Sequence, residues 1–367
     1  MDRILNSSTV RTVKLHLIYN VSLIYSKIIT FDFIYFAYFV VVTRKDILAM
    51  SSDGAKLIAA AAAGDLKLVK EYVAKDVDVN ARDWNRMTPL ITAAASGQGE
   101  VVEFLLERGA EVNLTDNDNV TALMEAAMKG HFNIVKMLCR QSADVNARTA
   151  SGVSALWVAS GEGSATIVKE LLEHGADPNN IRIDGISALM AACAAGHEEV
   201  VRLLVSAGAD VHLRDGDGVT ALITATELGN EAIISLLLEK KADVNVLSST
   251  GFSPLIVASA HGHLDVIKTL MNAGAVLDLE HPEGVTPLMY AAAGGFIHTV
   301  RFLIEAGSEV NRRHNNGGTA FAEACTNGDF AVVQLLVASG ADVQVVDNDG
   351  VTALMTAAAQ GHTEIVR

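Results

Sequence analysis

The sequence predicts an all-α repeat solenoid, on two observations. A Thr or Ser recurs every 33 residues, at Thr88, Thr121, Ser154, Ser187, Thr220, Ser253, Thr286, Thr319 and Thr352. One step further back falls on Ala55, where the rest of the pattern still holds, so ten units follow one another without an insertion. The composition agrees. Half of the 367 residues are apolar but only 5% are aromatic, so Ala and the aliphatic residues carry the hydrophobicity, as closely packed small helices require.

Each unit reads as two short helices. The anchoring Thr or Ser stands just before an apolar run, where its hydroxyl can accept a bond from an orphan helix N–H. Pro follows it at Pro89, Pro254 and Pro287, in the first turn, where a missing N–H costs little. Two residues after the anchor comes Leu, or Phe321 in one unit, and five after it comes Ala in every unit, from Ala60 to Ala357. A side chain that is always this small marks a close helix–helix approach. Nine residues after the anchor comes Gly in every unit, from Gly64 to Gly361, which reads as a helix stop at positive φ.

The first helix is therefore about two turns long. The second carries branched aliphatics and Leu at helical spacing, as in Val200, Val201, Leu204 and Val205. It ends at a Gly such as Gly109, Gly175 or Gly208, followed by "ADVN" or a variant and a turn rich in Asp, Asn and Gly. That terminal Gly is missing at Asp76, Ser142 and Lys241, where a strained positive φ is expected. Neither helix is long enough to hold itself in water, so neighbouring units must stack.

The stretches "DGVTALITATELGNEAIISLLLEKKADVN" (217–245) and "EGVTPLMYAAAGGFIHTVRFLIEAGSEVN" (283–311) resemble ankyrin repeats, and the resemblance covers about 53–367. It implies paired antiparallel helices joined by outward-pointing β-hairpins. One departure is uniform. Where the family usually carries His after "TPL", this chain has Ile91, Met124, Trp157, Met190, Ile223, Ile256, Met289, Ala322 and Met355, so apolar packing must replace the loop-tying bonds of that His.

The chain divides at 50. Residues 1–49 hold six Lys/Arg against three Asp/Glu and include the apolar run "IITFDFIYFAYFVVV" (28–42). Three readings stay open for them: a membrane anchor through 15–42, an organelle-targeting segment, or a stretch upstream of a natural start at Met50. Residues 50–367 form the repeat domain, where Ser51, Ser52 and Asp53 are placed to cap the first helix. The tenth unit stops at Arg367, early in its second helix, so a fragment of a longer protein or an incomplete gene product is expected.

The repeat domain carries 22 basic and 40 acidic residues, within a chain of net charge −15. That balance argues against nucleic acid and anionic membrane surfaces as partners. Three widely spaced cysteines, Cys139, Cys193 and Cys325, make no disulfide framework, occupy packing slots and suit a reducing compartment.

No catalytic constellation emerges. "DNDNVTAL" (116–123), "DGDGVTAL" (215–222) and "DNDGVTAL" (347–354) open like calcium loops but lack the required ligands at positions 5 and 12 and the Gly at 6. Their acids read as turn punctuation. His131, His197, His263 and His362 share one slot after the invariant Gly and are expected to satisfy carbonyls, and the His261-Gly262-His263 pair lacks a third ligand. No cofactor and no metal is expected.

Function is then expected at the surface. The resemblance places a partner on the hairpin tips and the exposed edge of the first helix, at six, four, three and one residues before the anchor and seven and eight after it. The candidates there are Trp84, Arg86, Met87, Met128, Lys129, Ile181, Ile183, Glu227, Leu228, Phe252 and His261, with Trp84 near Arg82 and Arg86 forming the pattern of an interface anchor. The reading is a non-enzymatic, monomeric, cytoplasmic scaffold that binds a protein partner on a concave face. Its alternatives are the recognition arm of a larger enzyme or channel, and a membrane-anchored chain with the repeats in the cytosol.

Overall fold

The computed structural model describes residues 50, 52–279 and 281–367. The expectations for residues 1–49 lie outside the described residues. Among these the chain forms two compact units, divided between Asp210 and Val211. The first unit contains α1 (Asp53–Ala63), α2 (Leu66–Val73), α3 (Pro89–Ala95), α4 (Gly99–Glu107), α5 (Ala122–Met128), α6 (Phe132–Arg140), α7 (Ala155–Gly161), α8 (Ala165–Glu173), α9 (Ala188–Ala195) and α10 (Glu198–Ser206). The second contains α11 (Ala221–Leu228), α12 (Glu231–Glu239), α13 (Pro254–His261), α14 (Leu264–Asn272), α15 (Pro287–Ala293), α16 (Ile297–Glu305), α17 (Ala320–Asn327), α18 (Phe330–Ala338), α19 (Ala353–Gln360) and α20 (Thr363–Val366). Within each unit the odd-numbered helices pack in file, and so do the even-numbered ones, which makes each an all-α repeat solenoid.

Local chemistry starts and stops each first helix as the sequence implies. The hydroxyl of Thr88 accepts the Ile91 N–H at 3.2 Å, and Thr121, Ser154 and Ser187 repeat the bond in later units. Ser52 caps α1 by accepting from Ala55. At the other end Gly163 has φ +73, and a Cβ built there would lie 2.6 Å from the His197 imidazole of the following repeat. Gly97 meets His131 and Gly229 meets His263 in the same way. The glycine therefore supplies both a left-handed backbone and the space into which the next repeat fits. Asp76, Ser142 and Lys241 do adopt positive φ, at 58°, 60° and 69°. Arg86 and Asn119 do so as well, in turns where seven other repeats have Gly. A left-handed side chain costs about 1–2 kcal/mol.

The second helices bury one stripe each. Val101, Val102 and Leu105 of α4, and Ile167, Val168 and Leu171 of α8, are covered. Each buried aliphatic side chain contributes about 1.5–3 kcal/mol relative to exposure, far more than a two-turn helix gains from its own propensity. The slot vacated by the family His is apolar packing in seven of the nine repeats: Ile91, Met124, Trp157, Met190, Ile223, Ile256 and Met289 are buried, whereas Ala322 is half-buried and Met355, in the last repeat, is exposed. Trp157 lies under the Arg182 guanidinium, 4.9 Å from the ring centroid, and Arg182 pairs with Asp184 at 2.9 Å.

The connecting hairpins are tighter than expected. No extended strand forms among the described residues, only isolated antiparallel bridges such as Thr115 with Thr121 and Ile181 with Ser187. Each turn is closed by two backbone bonds, for example Asp116 N–H to Val120 O at 3.1 Å and Asn119 N–H to Asp116 O at 3.4 Å. Five residues before the anchor, a side chain locks the same turn from inside in eight of the nine turns; in the other, Arg182 holds that place and Asp184 accepts the Ile186 N–H instead. One Asp116 oxygen accepts from Asp118 and Val120 N–H, and Asp83, Asp215 and Asp347 do likewise in their turns. The hydroxyls of Thr149 and Ser248 and the Nδ1 atoms of His281 and His314 fill the same role. The Asp-x-Asp stretches are thus turn locks in which one oxygen of the first Asp is committed to two backbone amides.

The "ADVN" Asn is the other tie between repeats. Asn146 accepts the Asp177 N–H at 2.8 Å and donates to Gly175 O at 3.0 Å; Asn179 and Asn245 repeat both bonds.

Gly163→Ala is expected to lower stability by about 2 kcal/mol or more, combining left-handed strain with the collision at His197. The urea midpoint of unfolding checks this; an unchanged midpoint would contradict the packing described.

Candidate functional site

In the first unit the turn tips form a ladder. Asn117 N–H donates to Asn85 O at 3.0 Å and its side chain to Trp84 O at 3.3 Å; Ala150 N–H donates to Asp118 O, and Ile183 N–H to Ser151 O at 3.0 Å. Backbone bonds thus run without interruption from the Trp84 tip to the Ile183 tip. Two large apolar side chains nevertheless stand out from this ordered backbone, Trp84 at 74% and Ile183 at 79% exposed.

The remaining candidates divide between the units. In the first, Arg86 is exposed, whereas Met87, Met128, Lys129 and Ile181 are half-buried. The Ile181 carbonyl accepts from the Arg148 guanidinium of the preceding repeat. In the second, Leu228 is exposed and Glu227 half-buried, with burial raising its carboxyl to about 7. His261 is half-buried. Its Nδ1 donates to Val257 O at 2.9 Å, its ring stacks on His263 at 5.6 Å, and desolvation lowers its pKa. His263 in turn bonds through Nε2 to Glu227 O of the preceding repeat at 3.0 Å, and His131, His197 and His362 make the equivalent bond to Ala95, Gly161 and Thr326. The satisfied carbonyls belong to the preceding first helix.

Phe252 is a correction. It was expected on the surface and is buried at 9% exposure, its ring 5.0 Å from that of His281 and 5.9 Å from that of Tyr290. The position just before the anchor is covered in most repeats: Val120, Val153, Ile186 and Val285 are buried there too, while Met87, Val219 and Val351 are half-buried. The signal was present in the chain, because this position is almost invariably apolar, unlike its variable neighbours in the tip.

Sequence reasoning also missed a set of polar side chains inside the solenoid, four residues after the anchor. Glu125 is only 5% exposed, and burial raises its carboxyl to about 7, against the weaker pull of the Lys129 charge and with a small push from Asp116. In the second unit Glu323 lies 3.4 Å from Nε2 of His314. Because His314 Nδ1 accepts from Asn316 N–H, the ring proton sits on Nε2 and donates toward that carboxylate. Tyr290 OH and one Glu283 oxygen are buried without a partner, and the phenol is pushed upward by burial and then by Glu283 and Glu323. The only hint in sequence is that this slot varies in type, running through Ala, Thr, Glu, Val and Tyr.

Chemistry beyond binding finds few footholds. Among the described residues no group of three or more His, Cys, Asp or Glu side chains is placed to hold a metal ion. All three cysteines are free and buried, and desolvation pushes the thiols of Cys139 and Cys325 up to about 11 and 12, out of the nucleophilic range. No described helix is long and apolar enough to cross a membrane.

Stacked helix pairs with turn tips projecting from them define the class of repeat proteins that serve as interaction modules. A family model described as ankyrin repeats matches residues 57–149, 142–215, 207–281, 255–347 and 312–367, and the chain belongs to that family. Such arrays act on protein partners and are in general not enzymes. A search of curated proteins found no match to this chain.

The Glu125 carboxyl gives a pH prediction. Its folded value of about 7 lies above its ordinary 4.5, so the folded chain binds more protons between those values. The stability this group contributes is complete below about 4.5 and is lost as pH rises through 7. Glu125→Gln is expected to match the parent chain near pH 5 and to exceed it by about 2 kcal/mol at pH 8. Urea midpoints at the two pH values check it, and an equal shift at both would contradict the assignment.

Proposed function

We propose that this chain is a non-enzymatic scaffold that captures a protein partner along the tip ladder of residues 84–183. One observation carries the reading. Trp84 and Ile183 are exposed on turns whose backbone is held by hydrogen bonds from tip to tip. Large apolar side chains on a pre-ordered surface lose little entropy on binding and supply the anchors of an interface. Met87, Met128, Lys129 and Ile181, half-buried along the same unit, form the surround. In the second unit, Leu228, Glu227 and His261 are a lesser candidate surface, because Leu228 is less exposed than Trp84 or Ile183 and its two companions are half-buried. The three buried free cysteines support a reducing compartment, the cytoplasm, as its location.

Trp84→Ala is expected to weaken partner capture by about 30-fold or more while leaving the unfolding midpoint within about 0.5 kcal/mol of the parent, since the indole buries little in the free chain. Ile183→Ala should do the same to a lesser degree. Quantitative pull-down with the full chain and both variants, beside their denaturation curves, is the check. Undiminished capture by the double variant would overturn the tip ladder as the partner surface.

A further inference from the structure

We propose that the partner segment seated on the first tip is acidic, a peptide in which carboxylates flank an apolar side chain. This rests on the tip ladder being the partner surface and names the chemistry that it would recognise. The reason lies in two arginines that depart from the role their positions have in the other repeats.

Six residues before the anchor, Arg148, Arg214 and Arg313 each turn a guanidinium back onto the fold. They donate to the backbone carbonyls of Ile181, Leu247 and Val346, the equivalent residues one repeat later, the last two at 2.9 and 2.6 Å. Arg82 occupies the same position, is exposed, and makes no side-chain hydrogen bond or ion pair among the described residues. Two residues before the anchor, seven repeats use Gly in the left-handed backbone that the turn demands. Arg86 holds that conformation at φ 61° with a long cationic side chain, exposed and likewise unpaired among the described residues. Glycine would serve the turn better, so the fold does not account for arginine at this place.

Between them stands Trp84. The one acid of the tip, Asp83, directs an oxygen to the Asn85 and Met87 amides at 2.9 and 2.8 Å. The tip thus carries an exposed Trp with an exposed Arg two residues before it and another two residues after it. Guanidinium groups match carboxylates in bidentate geometry, and an indole beside them takes an apolar side chain. Phosphate would satisfy the same arginines, but 40 acidic against 22 basic residues in 50–367 repel a strand with a charge at every phosphate far more than a short peptide with one or two carboxylates.

The test is a selection of displayed random 12-residue peptides against the full chain, followed by fluorescence anisotropy with the enriched peptides. The expected result is enrichment of Asp and Glu next to aromatic or aliphatic residues. Trp84→Ala should weaken binding of these peptides by about tenfold or more, and Arg82→Ser and Arg86→Gly by about fivefold each with a flatter salt dependence. Arg86→Gly should meanwhile raise the thermal midpoint by about 1–3 °C, which separates binding from folding. Trp84-dependent peptides that are neutral or basic, or whose affinity ignores Arg86→Gly, would overturn the acidic partner and leave the ladder standing. Displacement of the peptides by a single-stranded oligonucleotide at matched ionic strength would assign the tip to phosphate instead. A selection without any Trp84-dependent peptide would overturn the ladder and this inference together.

Discussion

The structure depends on one constraint: a helix of two turns has no stability of its own. The invariant glycine nine residues after each anchor cuts the first helix to that length with a left-handed backbone, and in several repeats it also leaves room for the side chain that the next repeat brings in. Gly163 and His197 show both halves of the arrangement. Each repeat is therefore finished by its neighbour, through Leu and Val stripes on the second helices and through Ala where the first helices meet.

The turns solve a different problem, that of holding an exposed loop still. In eight turns a single position five residues before the anchor does this with carboxylates, hydroxyls and imidazoles alike, because all that the turn requires is an acceptor for one or two backbone amides; where that position is Arg182, Asp184 supplies the acceptor. The chemical variety at that position makes it look functional, and its uniform geometry shows that it is structural. Once the loops are held, their outward residues are released from packing. In the first unit these include Trp84 and Ile183; in the second the equivalent positions are Gly216, Ser249, Pro282, Asn315 and Asn348, which offer no apolar anchor. The candidate surface is therefore concentrated in the first unit.

Much of this was legible in the chain because repetition acts as its own comparison. Ten copies separate positions that never change from those that do, and the start, stop and packing face of the first helices all follow from that contrast. The same method misread Phe252. Grouping it with the variable tip positions overlooked that its own position is apolar from repeat to repeat, and an inward-facing slot accommodates a ring as readily as Val when His281 and Tyr290 stand beside it. Glu125 was missed for the opposite reason: a charged residue on a short helix reads as solvent-facing until the neighbouring repeats are seen to cover it. Arg82 could be told from Arg148 only by the hydrogen bonds that the latter makes and the former does not.

By itself the sequence determined the period, the helix boundaries, the ankyrin fold and the lack of metal-loop spacing, because these rest on interactions between residues close in the chain or repeated at a constant offset. Only the tertiary structure decided which variable side chains face outward, how the polar groups at Glu125, Tyr290 and His314 are enclosed, and which arginines are tied to a carbonyl. Those outcomes depend on contacts between residues about one repeat apart, where burial and partner geometry, rather than residue type, set the role of each side chain.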